Sequence, residues 1–177
     1  MESRARLFGH AIHPILIVFP LGLLVTSLIF DIIGLATGIQ TLAAVSFWNI
    51  AAGVIGGLLA AVFGLIDWLA IPIGTRARAV GLWHGLGNVV LVVLFLISWL
   101  LRLGAPGYAP STTALVLSVI AVVLGMVTGW LGGELVQRLG VGVAPGANPN
   151  APSSLSAEPA QPQATVTGDR RGPAAAG

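Results

Sequence analysis

The chain has no cysteine and no lysine, a single tyrosine, and charged side chains at only 8% of its 177 positions. Without cysteine there is no disulfide, no thiolate nucleophile and no cysteine-held iron–sulfur cluster, so any bound metal must sit on nitrogen or oxygen. The net charge of +2 comes from arginines scattered at segment ends rather than gathered in a patch, which gives nucleic-acid binding no support. So low a charge content also excludes an ordinary soluble domain, in which roughly a quarter of residues are charged. What is there instead is apolar: 56% hydrophobic residues and a mean hydropathy of +0.96. Lipid is the solvent that such a composition requires.

A bilayer core is crossed by roughly 20 apolar residues in helical form. Four stretches reach that length, at about residues 14–38, 43–72, 79–102 and 111–136. None alternates in polarity, as a transmembrane strand of about ten residues must. The expected fold is therefore all-α, an integral membrane four-helix bundle over residues 1–143, with the up-down order that short, turn-like connections impose. Residues 144–177, rich in Pro, Ala, Ser, Gly and Asn, predict a disordered tail. Arg4 and Arg6 before the first apolar run imitate a secretory signal, but that run is too long, contains Asp31 and lacks a small-x-small cleavage site, so it is expected to remain as the first span. Arg4, Arg6, Arg76, Arg78 and Arg138 fall on one side of the membrane and Arg102 on the other, which puts both termini in the cytoplasm by the positive-inside rule.

The ionisable residues of the spans gather toward that same side. His13 opens the first helix, Asp67 and His84 flank the second connection, and Glu134 closes the fourth helix. A charge at membrane depth costs about 2.5 to 3.5 kcal/mol on insertion scales, so such a cluster is a functional-site candidate. Small residues recur beside these groups and allow close helix approach, so both stripes are expected to face inward: Gly56, Ala60 and Gly64 before Asp67, and Gly81 and Gly85 with His84 and Asn88. Gly125, Gly129 and Gly133 predict a similar inward stripe on the fourth helix, with Glu134 one position off it. Asp31 belongs near the opposite interface with Arg102 as its partner. Each group also has a plainer reading. His10 can be a solvated interfacial residue, His13 a helix cap, Asp67 the ion-pair partner of Arg76 or Arg78, and His84 with Asn88 a brace for a neighbouring helix. Trp48, Trp68, Trp83, Trp99 and Trp130 read mostly as an aromatic belt.

The strings His13-Pro14-Ile-Leu-Ile-Val-Phe19-Pro20, Gly64-Leu-Ile-Asp67-Trp68, Arg76 to Asn88, and Gly129-Trp130-Leu-Gly132-Gly133-Glu134 occur in order across all four helices. Together they resemble the domain of unknown function 2231 family, bacterial four-helix membrane proteins of which some are fused to Rieske-type iron–sulfur domains. The resemblance covers about residues 7–143. It implies a bacterial cytoplasmic membrane location, redox-associated work, and functional positions at His13, Asp67, His84 and Asn88, with Glu134 at a more variable spot. Many relatives place a histidine directly before the Phe-Pro pair, where this chain has Val18, which removes one ligand from a multi-histidine metal site. A Rieske-type partner would have to be a separate protein here, because the tail stands where fused relatives carry that domain.

Four functions follow as alternatives. The first is a redox-associated membrane subunit that binds haem b or a quinone through His13, His84 and Asn88. The second is a divalent-metal site on nitrogen and oxygen ligands, drawn from His13, Asp67, His84 and Glu134, with His10 as a further ligand. The third is a scaffold in which the cluster only locks helix packing. A transporter or proton path would need polar residues through both leaflets, and the far half offers only Asp31, Ser46, Asn49, Ser98 and Thr128. No nucleophilic signature is present.

Overall fold

The computed structural model describes residues 1–156 and 158–161; the rest of the expected tail, 157 and 162–177, lies outside the described residues. Four long helices follow one another, α1 (Ile12–Thr37), α2 (Thr41–Ala70), α3 (Arg76–Leu100) and α4 (Thr112–Gln137). Ahead of them a two-stranded hairpin pairs β1 (Arg6–Leu7) with β2 (His10–Ala11), and a short 3₁₀ turn, Pro106–Tyr108, lies between α3 and α4. The helices are 25 to 30 residues long, and all four are long and apolar enough to cross a membrane. In lipid every backbone polar group must be satisfied within the segment, which the helices achieve.

The helix ends are closed by local chemistry. Gly38 takes the left-handed conformation at φ 74° and donates its N–H to the Gly34 carbonyl, ending α1. Thr75 and Ser111 accept backbone N–H groups at the starts of α3 and α4. At the end of α2 the Arg78 guanidinium donates to the carbonyls of Trp68, Leu69 and Ile71 and lies 4.0 Å over the Trp68 ring. A cation at a helix C-terminus offsets the negative end of its dipole, and the ring adds a cation–π contact.

His13 near the start of α1 meets Ala60 near the end of α2, Gly34 lies against Leu42, and His84 near the start of α3 meets Thr128 near the end of α4. Consecutive helices therefore run in opposite directions. The closest packing is inside two hairpins, α1–α2 and α3–α4, which meet along α2 and α3. Leu24, Ile50, Val54, Phe95 and Ala121 form the core, so all four helices contribute to it.

The two hairpins are copies of one pattern. In α1, and in α3 with the turn that follows it, His13 and His84, Ser27 and Ser98, and Asp31 and Arg102 are each separated by 71 residues. In α2 and α4 the separation is 68: Ser46 and Ala114, Ile50 and Ser118, Gly53 and Ala121, and Ala60 and Thr128 correspond, and every one of these residues is buried. Gly57 and Gly125 correspond as well, and each lies against an aliphatic side chain of α3, Val92 and Leu91 respectively. The matched bonds of His13 to Ala60 and His84 to Thr128 fall at these same offsets, so each hairpin repeats the other's internal contacts.

Polar layers lie toward both ends. At one, Arg102 makes a bidentate ion pair with Asp31 at 2.8 and 2.7 Å and also donates to Ser46 and Ser98. Both charged side chains are fully buried. Phe47 covers this layer, stacked between Trp99 and Tyr108. The pairing expected of Asp31 with Arg102 is thus formed, with both side chains buried between the helices. The other layer holds the histidines.

Candidate functional site

His13 is the second residue of α1 and His84 lies nine residues into α3. Their rings approach edge-on, with centroids 6.3 Å apart. Each ring uses Nδ1 in the same way, on a backbone carbonyl of its own hairpin: His13 on Ala60 at 2.9 Å and His84 on Thr128 at 2.8 Å. A carbonyl can only accept, so Nδ1 carries the hydrogen in both rings, and each Nε2 of the neutral imidazole presents a lone pair. This is the tautomer that metal-ligating histidines adopt when a carbonyl orients them.

Two glycines make the arrangement fit. A Cβ at Gly64 would stand 3.0 Å from His13 Cε1, and one at Gly132 would stand 3.1 Å from His84 Cε1. The two rings therefore lie directly on α2 and α4 at equivalent positions. The glycines make room for the imidazoles themselves rather than for a flat macrocycle beside them. Asn88, one turn after His84, donates its amide N–H to the His84 carbonyl at 2.9 Å and approaches His84 Nε2 at 3.2 Å. Its own oxygen accepts from the Thr128 hydroxyl at 3.0 Å. His13 Nε2 has no hydrogen-bond partner among the described residues.

The other expected members of the cluster are engaged elsewhere. Asp67 pairs with neither Arg76 nor Arg78. Its carboxylate instead holds the N-terminal segment: the Ser3 hydroxyl lies 2.7 Å from both oxygens, and the Arg4 and Ala5 amides donate to Oδ1. Glu134 pairs with Arg76 at 2.7 Å, and His10 lies 3.2 Å from the Ser154 hydroxyl. Among the described residues no three His, Asp or Glu side chains converge on one point. The four-ligand set of His13, Asp67, His84 and Glu134 is thus not assembled; the structure brings together His13, His84 and Asn88. The reason is chemical: each carboxylate has a nearer donor, in backbone N–H groups for Asp67 and in a guanidinium for Glu134.

Two details of the small-residue reading also change. On α4, Gly129 and Gly133 have nothing within 4 Å, and the inward positions are Gly125, Thr128 and Gly132. Steps of three and four keep to one face of a 3.6-residue helix, whereas repeated steps of four drift off it. Thr128 accordingly belongs to the histidine layer rather than the far half. On α3, Gly81 packs on Trp68, while Gly85 faces open space.

Sequence reasoning missed the N-terminal strap. Its hairpin turns at Phe8 and Gly9, which both have positive φ (49° and 84°), the conformation that a two-residue I′ turn needs. The only sequence signal was Gly9, because a phenylalanine is not a residue that announces such a turn.

Two surface clefts lie away from the histidines. One of about 470 Å³ is lined by residues such as Asn148, Pro152 and Gln161, and one of about 300 Å³ by Ile71, Pro72, Arg76 and Val141 among others. No curated protein and no solved structure shows significant similarity to the chain. The match is at the level of a family: residues 9–145, spanning all four helices and the whole histidine layer, fit the family described as "Predicted membrane protein (DUF2231)". The chain is a multi-pass membrane protein and belongs to the DUF2231 family.

Proposed function

We propose that this chain is a redox-associated membrane subunit whose metal centre, a haem iron or a single divalent ion, is held by the Nε2 atoms of His13 and His84. The observation that carries the proposal is the matched pair of Nδ1–H bonds to the Ala60 and Thr128 carbonyls. They turn two half-buried rings on different hairpins into two electron-pair donors. A metal–nitrogen bond of about 2 Å puts an ion about 3 Å from each ring centre, so two rings ligating one ion lie no more than about 6.5 Å apart. The observed 6.3 Å is within that reach. A haem makes a further demand, because the rings rest directly on Gly64 and Gly132. A macrocycle requires the hairpins to part. A quinone fits the donors less well, since its carbonyls accept hydrogen bonds and both Nε2 atoms accept too, whereas the hydroxyls of a quinol match them.

Asn88 keeps His84 in place and completes the polar collar, while Asp67 and Glu134 act outside the ligand set. The arginines Arg4, Arg6, Arg76, Arg78 and Arg138 at the histidine end, with Arg102 buried, support a cytoplasmic placement of that end and of both termini in a bacterial cytoplasmic membrane. A redox partner, Rieske-type or other, then reaches the site from this side.

The test is an ultraviolet–visible spectrum with elemental analysis of detergent-purified protein. A Soret band, or a stoichiometric metal, lost in both His13→Ala and His84→Ala, is the expected result. A second reading has its own observation: the Asn88 amide already approaches His84 Nε2, as it would in a scaffold whose imidazoles only brace helices. Protein with no chromophore and no metal, destabilised by both substitutions, would establish that reading instead.

A further inference from the structure

The corresponding buried positions of the two hairpins differ in several side chains, but at one of them the difference is a reversal of charge. Asp31 in α1 and Arg102, two residues past the end of α3, are separated by the same 71 residues as His13 and His84, but their charges are opposite and they meet between the hairpins. Two hairpins of one pattern could in principle pair like with like. Lipid gives no hydrophobic preference between such pairings, since tails are as apolar as the helix surfaces. The discrimination has to come from a polar contact that is satisfied in one pairing and violated in the others.

We infer that the Asp31–Arg102 pair is a recognition code between hairpins: it selects α1–α2 with α3–α4 and rejects each hairpin's pairing with a copy of itself. Like-with-like pairing would oppose two buried carboxylates or two buried guanidinium groups. Unlike pairing uses four of the five N–H donors of Arg102, on Asp31, Ser46 and Ser98. The code also sets the register of the distant site. His13 precedes Asp31 by 18 residues and His84 precedes Arg102 by 18, about 27 Å at the helical rise, the second stretch running two residues past the end of α3. Matching the charges at one end therefore brings the two imidazoles level at the other. The complementary hairpin need not come from the same chain, so a second copy bearing the right charge fits equally well. This inference rests on the repeat and the ion pair and is independent of what the histidines bind.

The test uses full-length chains in detergent. Asp31→Arg alone opposes two guanidinium groups and is expected to lower the assembled monomer fraction by about 100-fold. The single-chain exchange Asp31→Arg/Arg102→Asp restores a monomer with a cooperative thermal transition. Differently tagged Asp31→Arg and Arg102→Asp chains, expressed together, co-purify in equal amounts as a dimer, because each hairpin of one chain is complementary to a hairpin of the other. Co-expressed unmodified chains do not. Normal assembly of the Asp31→Arg chain, an exchanged chain no better than that single variant, or failure of the two tagged variants to co-purify would each overturn the inference.

Discussion

The two polar layers of this bundle are built from corresponding positions of the same repeat, yet they are finished in opposite ways. At the ion-pair end both charges are buried and spent on each other, and the serines around them are hydrogen-bonded. At the histidine end each ring is fixed at one nitrogen, and the other nitrogen is left to a weak amide contact or to none among the described residues. A buried polar group costs free energy unless it is satisfied. The ion-pair layer, although it leaves Arg102 Nε and Trp99 Nε1 buried without a partner among the described residues, spends both of its charges internally and contributes specificity of assembly, whereas the uncommitted Nε2 of His13 keeps capacity for a ligand. Position in the repeat does not decide between these fates; the chemistry of the residue placed there does.

The comparison can be broken most sharply at the ion-pair layer. Arg102→Leu leaves the Asp31 carboxylate buried without its partner, and we expect a loss of about 3 to 5 kcal/mol in reversible unfolding in mixed micelles. Asp31→Leu/Arg102→Leu removes both charges and should recover most of that loss, because an apolar pair of similar volume can replace a buried ion pair. A double variant as unstable as Arg102→Leu would mean that the layer is held by its serines rather than by its charges.

The histidine layer should respond differently. Gly132→Ala places a methyl group 3.1 Å from His84 Cε1, so the ring must shift by a few tenths of an ångström. We expect a destabilisation of about 1 to 3 kcal/mol and, with it, a weakened metal or haem signal. Gly129→Ala on the same helix meets nothing within 4 Å and should stay within about 0.5 kcal/mol of the parent. Equal responses from the two would remove the distinction between an inward and an outward glycine on α4. His13→Ala and His84→Ala are expected to cost only about 1 kcal/mol each, one neutral hydrogen bond, while abolishing the bound metal or haem. Thermal melts beside the spectra separate these two effects.

Much of this was legible in the sequence, for reasons that differ by residue. The four spans follow from length and apolarity, which lipid enforces on any helix that crosses it. Asp31 and Arg102 could be paired because few other charges lie at that depth. His84 with Asn88 could be read from a one-turn spacing. The repeat was harder to see, because it is carried by positions and burial rather than by identity: Asp31 corresponds to Arg102, and Ala60 to Thr128. The choice of Gly132 over Gly133 turned on where a stripe of small residues drifts, which requires the partner helix to settle. Asp67 was misassigned because its partners are mainly backbone amides of the N-terminal segment, and backbone donors leave no residue-type signal.

That segment supplies the smallest effect. Asp67 accepts from Ser3, Arg4 and Ala5 at the histidine end of the bundle, and Ser3 is buried there. Hydrogen bonds to a carboxylate are stronger than neutral ones, but those of Asp67 hold only a short strap ahead of α1, so their loss should register locally. Asp67→Asn keeps an oxygen that can accept and removes the charge. Global unfolding is expected to move by less than about 0.5 kcal/mol, while the Arg4 and Ala5 amides exchange hydrogen about fivefold faster, corresponding to a local loss of about 1 kcal/mol. Unchanged exchange at those two amides would show that the strap is held by its contacts with Gly140 and Gly142 rather than by the carboxylate. A large global loss would show instead that the histidine end, like the ion-pair end, depends on a buried charge, and the contrast between the two layers would then lie in the histidines alone.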